Sequence, residues 1–249
     1  MTDFLLETRN LRKSFGALLA TDQVDFDVRE GETHAVIGPN GAGKTTFIKQ
    51  ISGELRPDAG NIRFAGEDVS DLPWHKRSRK GLARSFQITS VYRDFTALDN
   101  VALAIQAQSG HSFRFWRSAR EDRLLTEPAV RILEKIGLEK RKNTLAANLS
   151  HGEQRQLEIA MVLATHPRLM LLDEPVAGMG TDESQRMIEF LATLKGKATM
   201  VLVEHDMDAV FTLADRISVL VYGRIIATGT PADIRANAEV RAAYLGEDL

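Results

Sequence analysis

The sequence predicts an α/β fold with a mainly parallel β-sheet and a helical subdomain inserted into it. Three observations support this prediction. A glycine-rich loop at residues 38–43 joins an apolar strand to a helix, strands alternate with helices after residue 150, and residues 96–149 contain no convincing strand pattern. Strands that alternate with helices at this spacing indicate a parallel sheet covered on both faces.

The composition is that of a soluble globular protein, with 43% hydrophobic and 27% charged residues. Its 249 residues suffice for one large domain or two small ones. The absence of cysteine excludes disulfides, thiolate catalysis and cysteine-based metal centres. A net charge of −2 does not favour a general affinity for nucleic acid. Since no signal-peptide pattern and no apolar run of about 18 residues occurs, we expect a cytoplasmic chain that does not cross a membrane.

Apolar periodicity and turn residues place the elements of the first third of the chain. Strands are predicted at 4–8, 24–28, 33–37, 61–64 and 82–86. A helix is predicted from Lys44 to about Ser52, and a basic helix from near Pro73.

The later elements are helical in the middle of the chain and alternate with strands after Ser150. Helices are predicted at 98–107, 128–136, 151–165, 183–194 and 207–214. Strands are predicted at 169–172, 199–203 and 217–222. Thr230, Pro231 and Asp233 supply an N-cap, a first-turn proline and an acid at the third position, which predicts a C-terminal helix.

The glycine-rich loop has the Gly-x4-Gly-Lys-Ser/Thr pattern of a phosphate-binding loop, between a strand and a helix as that pattern requires. The predicted cradle consists of Gly38, Pro39, Asn40, Gly41, Ala42, Gly43, Lys44, Thr45 and Thr46. Glycines let backbone N–H groups surround a polyphosphate, and the helix dipole favours the same anion. Lys44 would neutralise the β- and γ-phosphates, and the Thr45 hydroxyl would bind Mg²⁺. The alternative is a glycine-rich turn that binds no ligand.

Two carboxylates, Asp173 and Glu174, follow the predicted apolar strand 169–172. The carboxyl end of such a strand is where α/β proteins place their ligands. Asp173 is suited to hold Mg²⁺ through its water shell, and Glu174 is suited to act as a general base toward water. The alternative is a solvated turn, which the preceding phosphate loop makes less favourable.

The stretch Leu149-Ser150-His151-Gly152-Glu153-Gln154-Arg155-Gln156 resembles the Leu-Ser-Gly-Gly-Gln signature of ATP-binding cassette (ABC) ATPases, with His151 in place of the first glycine. Locally, Ser150 and Glu153 also form the pattern of a helix capping box. The resemblance implies the P-loop NTPase fold of ABC ATPases, a mainly parallel sheet with an antiparallel β edge. It further implies a single domain over 1–249, with an α/β core at 1–87 and 166–249 and a helical subdomain at about 88–165.

The same resemblance assigns roles to residues across the chain, with ATP and Mg²⁺ as cofactors. Ser150, Gly152 and Glu153 would bind the γ-phosphate of ATP held by an opposite subunit. Phe15 would stack on adenine, for which packing in the core is the alternative. Gln87 would touch Mg²⁺, and His205 would sense the γ-phosphate. The implied catalytic residues are Lys44, Glu174 and His205.

Within the family, several stretches resemble the ATPase subunits of branched-chain amino acid importers. They are Arg84-Ser85-Phe86-Gln87, residues 174–179, Glu204-His205-Asp206-Met207 and residues 243–247. Urea-type importers share much of this pattern. Gly180 departs from many cassettes, which have Asp there for a contact across subunits.

The resemblance also implies the partners of the chain. They are integral membrane permeases, a second ATPase subunit (this chain or a paralogue) that completes an ATP-sandwich dimer and, indirectly, a periplasmic solute-binding protein. The chain would then lie on the cytoplasmic face of the inner membrane.

Two basic stretches offer competing interpretations. The run 75–80, with Arg84 beyond it, suits nucleic acid or anionic lipid, but a solvated helix face is the favoured interpretation. The run 113–117 interleaves aromatic and basic side chains, which suits single-stranded nucleic acid, local packing or a membrane partner.

Two rival function classes are disfavoured. A soluble cassette ATPase acting on nucleic acid usually carries two cassettes or coiled-coil arms, and this sequence shows one cassette and no heptad run. A GTPase would need an Asn-Lys-x-Asp motif, which is absent. No nucleic-acid partner is therefore expected.

Overall fold

The computed structural model describes residues 4–85, 91–109 and 122–244. The strands are β1 (Phe4–Phe15), β2 (Leu18–Arg29), β3 (Thr33–Ile37), β4 (Ala59–Phe64), β5 (Glu67–Asp68), β6 (Leu82–Arg84), β7 (Leu169–Asp173), β8 (Thr199–Val203), β9 (Arg216–Val221) and β10 (Arg224–Gly229). The helices are α1 (Lys44–Ser52), α2 (Trp74–Arg79), α3 (Ala97–Ser109), α4 (Arg123–Lys135), α5 (His151–Ala164), α6 (Thr181–Ala192), α7 (Met207–Leu213), α8 (Pro231–Ala236) and α9 (Ala238–Tyr244).

Two sheets form the α/β part of the molecule. The larger has the order β10-β9-β3-β8-β7-β6, in which β10 alone runs antiparallel to its neighbour. The smaller is antiparallel, with the order β2-β1-β4-β5. The predicted parallel core with an antiparallel edge is therefore confirmed. Every residue of β3, β7 and β8 is buried, which explains why these strands are continuous apolar runs in the sequence.

Helices cover the larger sheet and also form a cluster of their own. The α1 side chains Phe47, Ile48 and Ile51 pack with one group of buried strand residues, and α6 and α7 pack with another. Helices α3, α4 and α5 contribute most of a third, separate core that contains Val101 and Leu133. The subdomain boundaries at residues 88 and 165 stay a prediction. In the described ranges, no helix combines the length and apolarity that crossing a membrane requires.

Several element boundaries differ from the sequence prediction. Strands β1 and β2 are longer than predicted, and β5, β10 and α9 were not predicted at all. Helix α4 does not begin at Pro128, because the side chain of Asp122 caps it earlier by accepting a bond from the Leu124 N–H. The predicted cap of the C-terminal helix is confirmed: Thr230 and Asp233 form a capping box at α8.

The interpretation of the basic run as a solvated helix face is wrong for Arg77 of the run and for Arg84 beyond it. Arg77 is only 1% exposed. Its guanidinium donates to the backbone carbonyls of Gln50, Ile51, Ser70 and Leu72, so it satisfies the C-terminal end of α1. Burial lowers the pKa of Arg77 to about 10. The Arg84 side chain is also buried and pairs with Glu54 and Asp173. The aromatic–basic run 113–117 lies outside the described residues.

Candidate functional site

The predicted phosphate loop, Asp173, Glu174 and His205 lie at one edge of the larger sheet. Because β3, β6, β7 and β8 run parallel, their carboxyl ends lie on the same side. The loop 38–43 follows β3, Glu174 follows β7, and Glu204 and His205 follow β8. This edge therefore carries the phosphate loop and the acidic side chains together, as the strand order of an α/β sheet requires.

The phosphate loop is wedged so tightly between two strands that glycine is required at both of its ends. A Cβ on Gly38 would lie 2.0 Å from the carbonyl oxygen of Leu220 in β9, and one on Gly43 would lie 2.0 Å from that of Ala20 in β2. Helix α1 begins directly after Gly43. The first N–H groups of a helix have no partner within the helix, so this geometry suits an anion.

Lys44 is the first residue of α1, and its side chain folds back over the phosphate loop. Its Nζ donates to the carbonyl oxygens of Gly38 at 2.5 Å and Pro39 at 3.0 Å. Burial lowers the pKa of Lys44 from its ordinary value, and the nearby charges of Glu174 and Asp173 oppose that shift. The ammonium is thus held between the cradle and the acidic strand end, where it can reach a polyphosphate. Thr45 and Thr46 are half-buried in the first turn of α1.

Asp173 ends β7 in a buried position that suits a hydrated Mg²⁺. Its Oδ2 accepts a bond of 3.0 Å from an Arg84 guanidinium N–H. Its Oδ1 is buried and accepts no hydrogen bond from the described residues. A buried carboxylate oxygen without a donor is costly, and a metal-bound water would supply the donor. Together with the Thr45 hydroxyl it offers the oxygen ligands that Mg²⁺ prefers, so the residues fit this ion.

Glu174 and His205 are brought together by the turns that follow β7 and β8. Glu174 has a left-handed backbone (φ 51°), which turns the chain sharply after the strand, and its N–H donates to the carbonyl oxygen of Val203. His205 Nδ1 lies 3.9 Å from Oε1 of Glu174. The Glu174 side chain is partly exposed and that of His205 is 65% exposed, so a water molecule can reach both. This arrangement suits a base and a second polar group around an attacking water.

The signature residues form a second group at the start of α5. Ser150 Oγ accepts from the Glu153 N–H and the Glu153 carboxylate accepts from the Ser150 N–H, so the capping box is confirmed. Ser150 Oγ also donates to Glu183 at 3.3 Å. A Cβ on Gly152 would lie 2.4 Å from a Glu183 carboxylate oxygen. In the described chain, the hydrogen bonds of Ser150 and Glu153 reach α5, α6 and Arg141 and none reaches the phosphate loop.

A family model for ABC transporters matches residues 21–177, which is more than half of the chain. The chain belongs to the ABC transporter ATPases. A second model, for branched-chain amino acid ATP-binding cassette transporters, matches residues 224–249. The fold predicted from the phosphate loop and signature is therefore confirmed.

Individual relatives are similar to this chain over nearly its whole length. The branched-chain amino acid transport ATP-binding protein BraF of Pseudomonas aeruginosa is 39% identical, over 98% of both chains. Its counterpart LivG of Escherichia coli is 38% identical, over 99% of this chain and 100% of LivG. A crystal structure of the ADP conformation of an ABC transporter cassette is 29% identical and superposes with a TM-score of 0.85, over 99% and 100% of the two chains.

Two arginines of this ABC ATPase were not among the predicted site residues. Arg155 of α5 donates to the carbonyl oxygens of Asp173 and Glu174 and forms an ion pair with Glu158 at 2.6 Å. Arg84 forms an ion pair with the Asp173 carboxylate at 3.0 Å. Both were present in the motif stretches, but their partners other than Glu158, namely Asp173 and Glu174, lie 18 to 89 residues away along the chain. The signal that marks them is a charged residue inside an otherwise apolar strand or helix face.

Gln87 lies outside the described residues, so its predicted role stays a prediction. Gly180, where many cassettes have Asp, is the N-cap of α6 with ordinary extended backbone angles. Apart from its chain neighbours, no heavy atom of the described residues lies within 4 Å of a Cβ placed there. The absence of a carboxylate at this position is therefore not imposed by steric crowding within this chain.

Phe15 is too exposed for core packing, since 49% of it is accessible at the end of β1. We expect Phe15→Ala to weaken ATP binding by about 1–3 kcal/mol, the range for a lost base–aromatic stack. Leu18 pairs with Phe15 across the β1–β2 turn and is also exposed, so Leu18→Ala is the matched control. Titration with a fluorescent ATP analogue measures both variants. Equal affinities for the two variants would contradict the stacking role.

Proposed function

We propose that this chain binds and hydrolyses ATP to power the import of branched-chain amino acids through separate permeases. The identity of 38–39% to branched-chain amino acid transport ATP-binding proteins, over nearly full length, carries the substrate assignment. The convergence of the phosphate loop, Asp173, Glu174 and His205 at one sheet edge supports the hydrolytic activity. Urea-type import is the alternative within the same branch.

The hydrolytic step follows from the positions of these side chains. Thr45, Gln87 and Asp173 would hold Mg²⁺, which when bound would supply charge neutralisation at the phosphates. The loop amides and Lys44 bind the phosphates, and Phe15 stacks on the adenine ring. Glu174 accepts the proton of the attacking water, while His205, 3.9 Å from the Glu174 carboxylate, contacts the γ-phosphate.

The signature residues imply a dimer as the working form. Ser150, Gly152 and Glu153 form no hydrogen bond to the phosphate loop within the described chain, yet Ser150 is exposed at the start of a 14-residue helix. We propose that this group binds the γ-phosphate of ATP held by a second subunit, either another copy of this chain or a paralogue. The ATP then lies between two chains, each of which completes the other's site.

An apolar groove beside α2 offers a surface for the permease. It has a volume of about 250 Å³ and is lined by Trp74, Leu82, Tyr92, Ala104 and Met161, among others. Trp74 and Tyr92 are exposed, as is typical of aromatic residues at a protein interface. Arg84 lines the same groove and bonds Asp173, so a docked permease segment would lie one side chain from the metal carboxylate.

This docking would place the ATPase peripherally on the cytoplasmic face of the inner membrane. The periplasmic solute-binding protein would act on it only through the permeases. A net charge of −2 gives no support to a nucleic-acid partner.

Uptake by whole cells tests the proposed function. Deleting the gene in its host should abolish high-affinity uptake of radiolabelled leucine, isoleucine and valine, and the wild-type gene should restore it. A gene carrying Lys44→Ala should not restore uptake, whereas Lys49→Ala, an exposed lysine of the same helix, should. Loss of urea or amide uptake with normal leucine uptake would favour the alternative importer. Normal uptake of all these solutes, with ATPase activity stimulated by DNA or RNA, would contradict a role in import.

A further inference from the structure

Glu204 is a buried carboxylate between β8 and His205, the residue predicted to sense the γ-phosphate. Glu204 is only 1% exposed, which is rare for a glutamate, and the His205 Nδ1 lies 3.9 Å from its Oε2. Three backbone N–H groups surround it: Val176 donates to Oε1 at 3.0 Å, and His205 and Asp206 donate to Oε2 at 3.1 and 3.4 Å. Both carboxylate oxygens are therefore used.

These three donors belong to two different loops. Val176 lies in the turn after β7, two residues beyond Glu174, whereas His205 and Asp206 lie in the turn after β8. The Glu204 side chain thus connects the loop of Glu174, the proposed base, to the loop of His205, the proposed γ-phosphate sensor. Arg155 also holds the base loop, by donating to the carbonyl oxygens of Asp173 and Glu174.

A carboxylate is the side chain that this position requires. Glutamine has the same shape but offers one accepting oxygen and one NH₂ donor. In either orientation, its NH₂ would face the N–H of Val176 or those of His205 and Asp206. Burial raises the pKa of Glu204, while the backbone N–H groups act in the opposite direction by stabilising the charged form.

We propose that Glu204 is a positioning residue for hydrolysis, which holds Glu174 and His205 at their mutual distance of 3.9 Å. Its influence on hydrolysis is exerted through the two loops, whose N–H groups it accepts from. The inference rests on the proposed roles of Glu174 and His205. It adds the residue that fixes their relative geometry, and a displacement of about 1 Å at a reacting group can cost 10²-fold in rate.

The test compares Glu204→Gln with Glu32→Gln. Glu32 is also buried and accepts a backbone N–H, that of Arg29, but it lies at the opposite edge of the same sheet. We expect Glu204→Gln to lower kcat by about 10- to 100-fold, up to the cost of misplacing a reacting group by about 1 Å. The affinity for a fluorescent ATP analogue should stay within the same order of magnitude. Glu32→Gln should change the melting temperature but not kcat. Equal kcat values for the two variants would overturn the proposal.

A double-mutant cycle separates positioning from general stability. If Glu204 acts through His205, Glu204→Gln should lower the rate of single-turnover ATP hydrolysis by a much smaller factor in a His205→Ala background than in the wild type. An undiminished cost in that background would overturn the coupling. Glu204→Asp retains a carboxylate with a shorter reach, so it should fold and show an intermediate kcat. Wild-type kcat in Glu204→Asp would also contradict the proposal. Unimpaired hydrolysis in Glu174→Gln would instead refute the proposed base.

Discussion

Glu174→Gln should reduce ATP hydrolysis by about 10²- to 10⁴-fold, the usual contribution of a general base, while ATP binding persists. Glutamine retains the shape of the side chain and can hydrogen-bond to the same water, but it cannot take the proton. The backbone that positions it, with its N–H on the Val203 carbonyl, is unchanged by the substitution. ATP that is bound but not hydrolysed should hold two subunits together. Light scattering with ATP and Mg²⁺ is expected to show a shift from monomer toward dimer.

Adding Ser150→Arg to this variant should reverse the dimerisation. The arginine places bulk and a displaced cation at the start of α5, where the γ-phosphate of the facing subunit would bind. It also removes the Ser150 cap, and losing a cap costs about 1 kcal/mol of stability. Thr230→Ala is the matched control, because Thr230 caps α8 in a capping box of the same kind. Dimerisation should survive Thr230→Ala and fail with Ser150→Arg.

The composition of the dimer follows from the same measurement. If Glu174→Gln stays monomeric with ATP alone and also with the permeases and a paralogous ATPase present, the sandwich mechanism is wrong. If it dimerises only with the paralogue, this chain works as half of a heterodimer. The Glu183 carboxylate accepts a hydrogen bond from the Ser150 hydroxyl, so the proposed binding of a phosphate there would have to displace it.

The elements that the sequence predicts well are those determined by residues close together along the chain. Strands β3 and β8 and helix α1 have the predicted bounds, because their buried faces and glycine boundaries lie within a few residues. Strand β10 was missed, since it is a partly exposed edge strand with a weak apolar pattern. Its hairpin partner β9, by contrast, is mostly buried and was predicted within one residue at each end.

The residues that hold the site in place through hydrogen bonds were harder to predict from the sequence. Arg77, Arg84, Arg155 and Glu204 all bond to groups in other elements of the structure. A basic or acidic residue in a motif is compatible with solvent until the fold places a carbonyl or N–H beside it. His151 shows the same limit: its ring lies 3.2 Å from where a Cβ on Gly178 would stand, a contact that the signature pattern does not reveal.

Lys44→Ala should weaken ATP binding by about 10- to 100-fold, which corresponds to losing a charged hydrogen bond of about 1.5–3 kcal/mol. Hydrolysis should be abolished, because the developing charge on the γ-phosphate loses its mobile cation. Folding should be preserved, since the glycines of the loop are retained and Lys44 is partly desolvated in the free protein. Equilibrium binding of a fluorescent ATP analogue, phosphate release and thermal melting measure the three quantities.

Lys49→Ala is the matched control, because Lys49 lies in the last turn of the same helix and is exposed. It removes the same charge from α1 without removing a group from the cradle. A general electrostatic effect of the helix would reduce ATP binding in both variants, whereas a phosphate contact would reduce it in Lys44→Ala alone. The Lys44 ammonium lies 2.5 Å from the Gly38 carbonyl oxygen, at the mouth of the loop, so the second outcome is expected. Near-normal hydrolysis by Lys44→Ala would refute the assignment of residues 38–45 as the phosphate-binding loop.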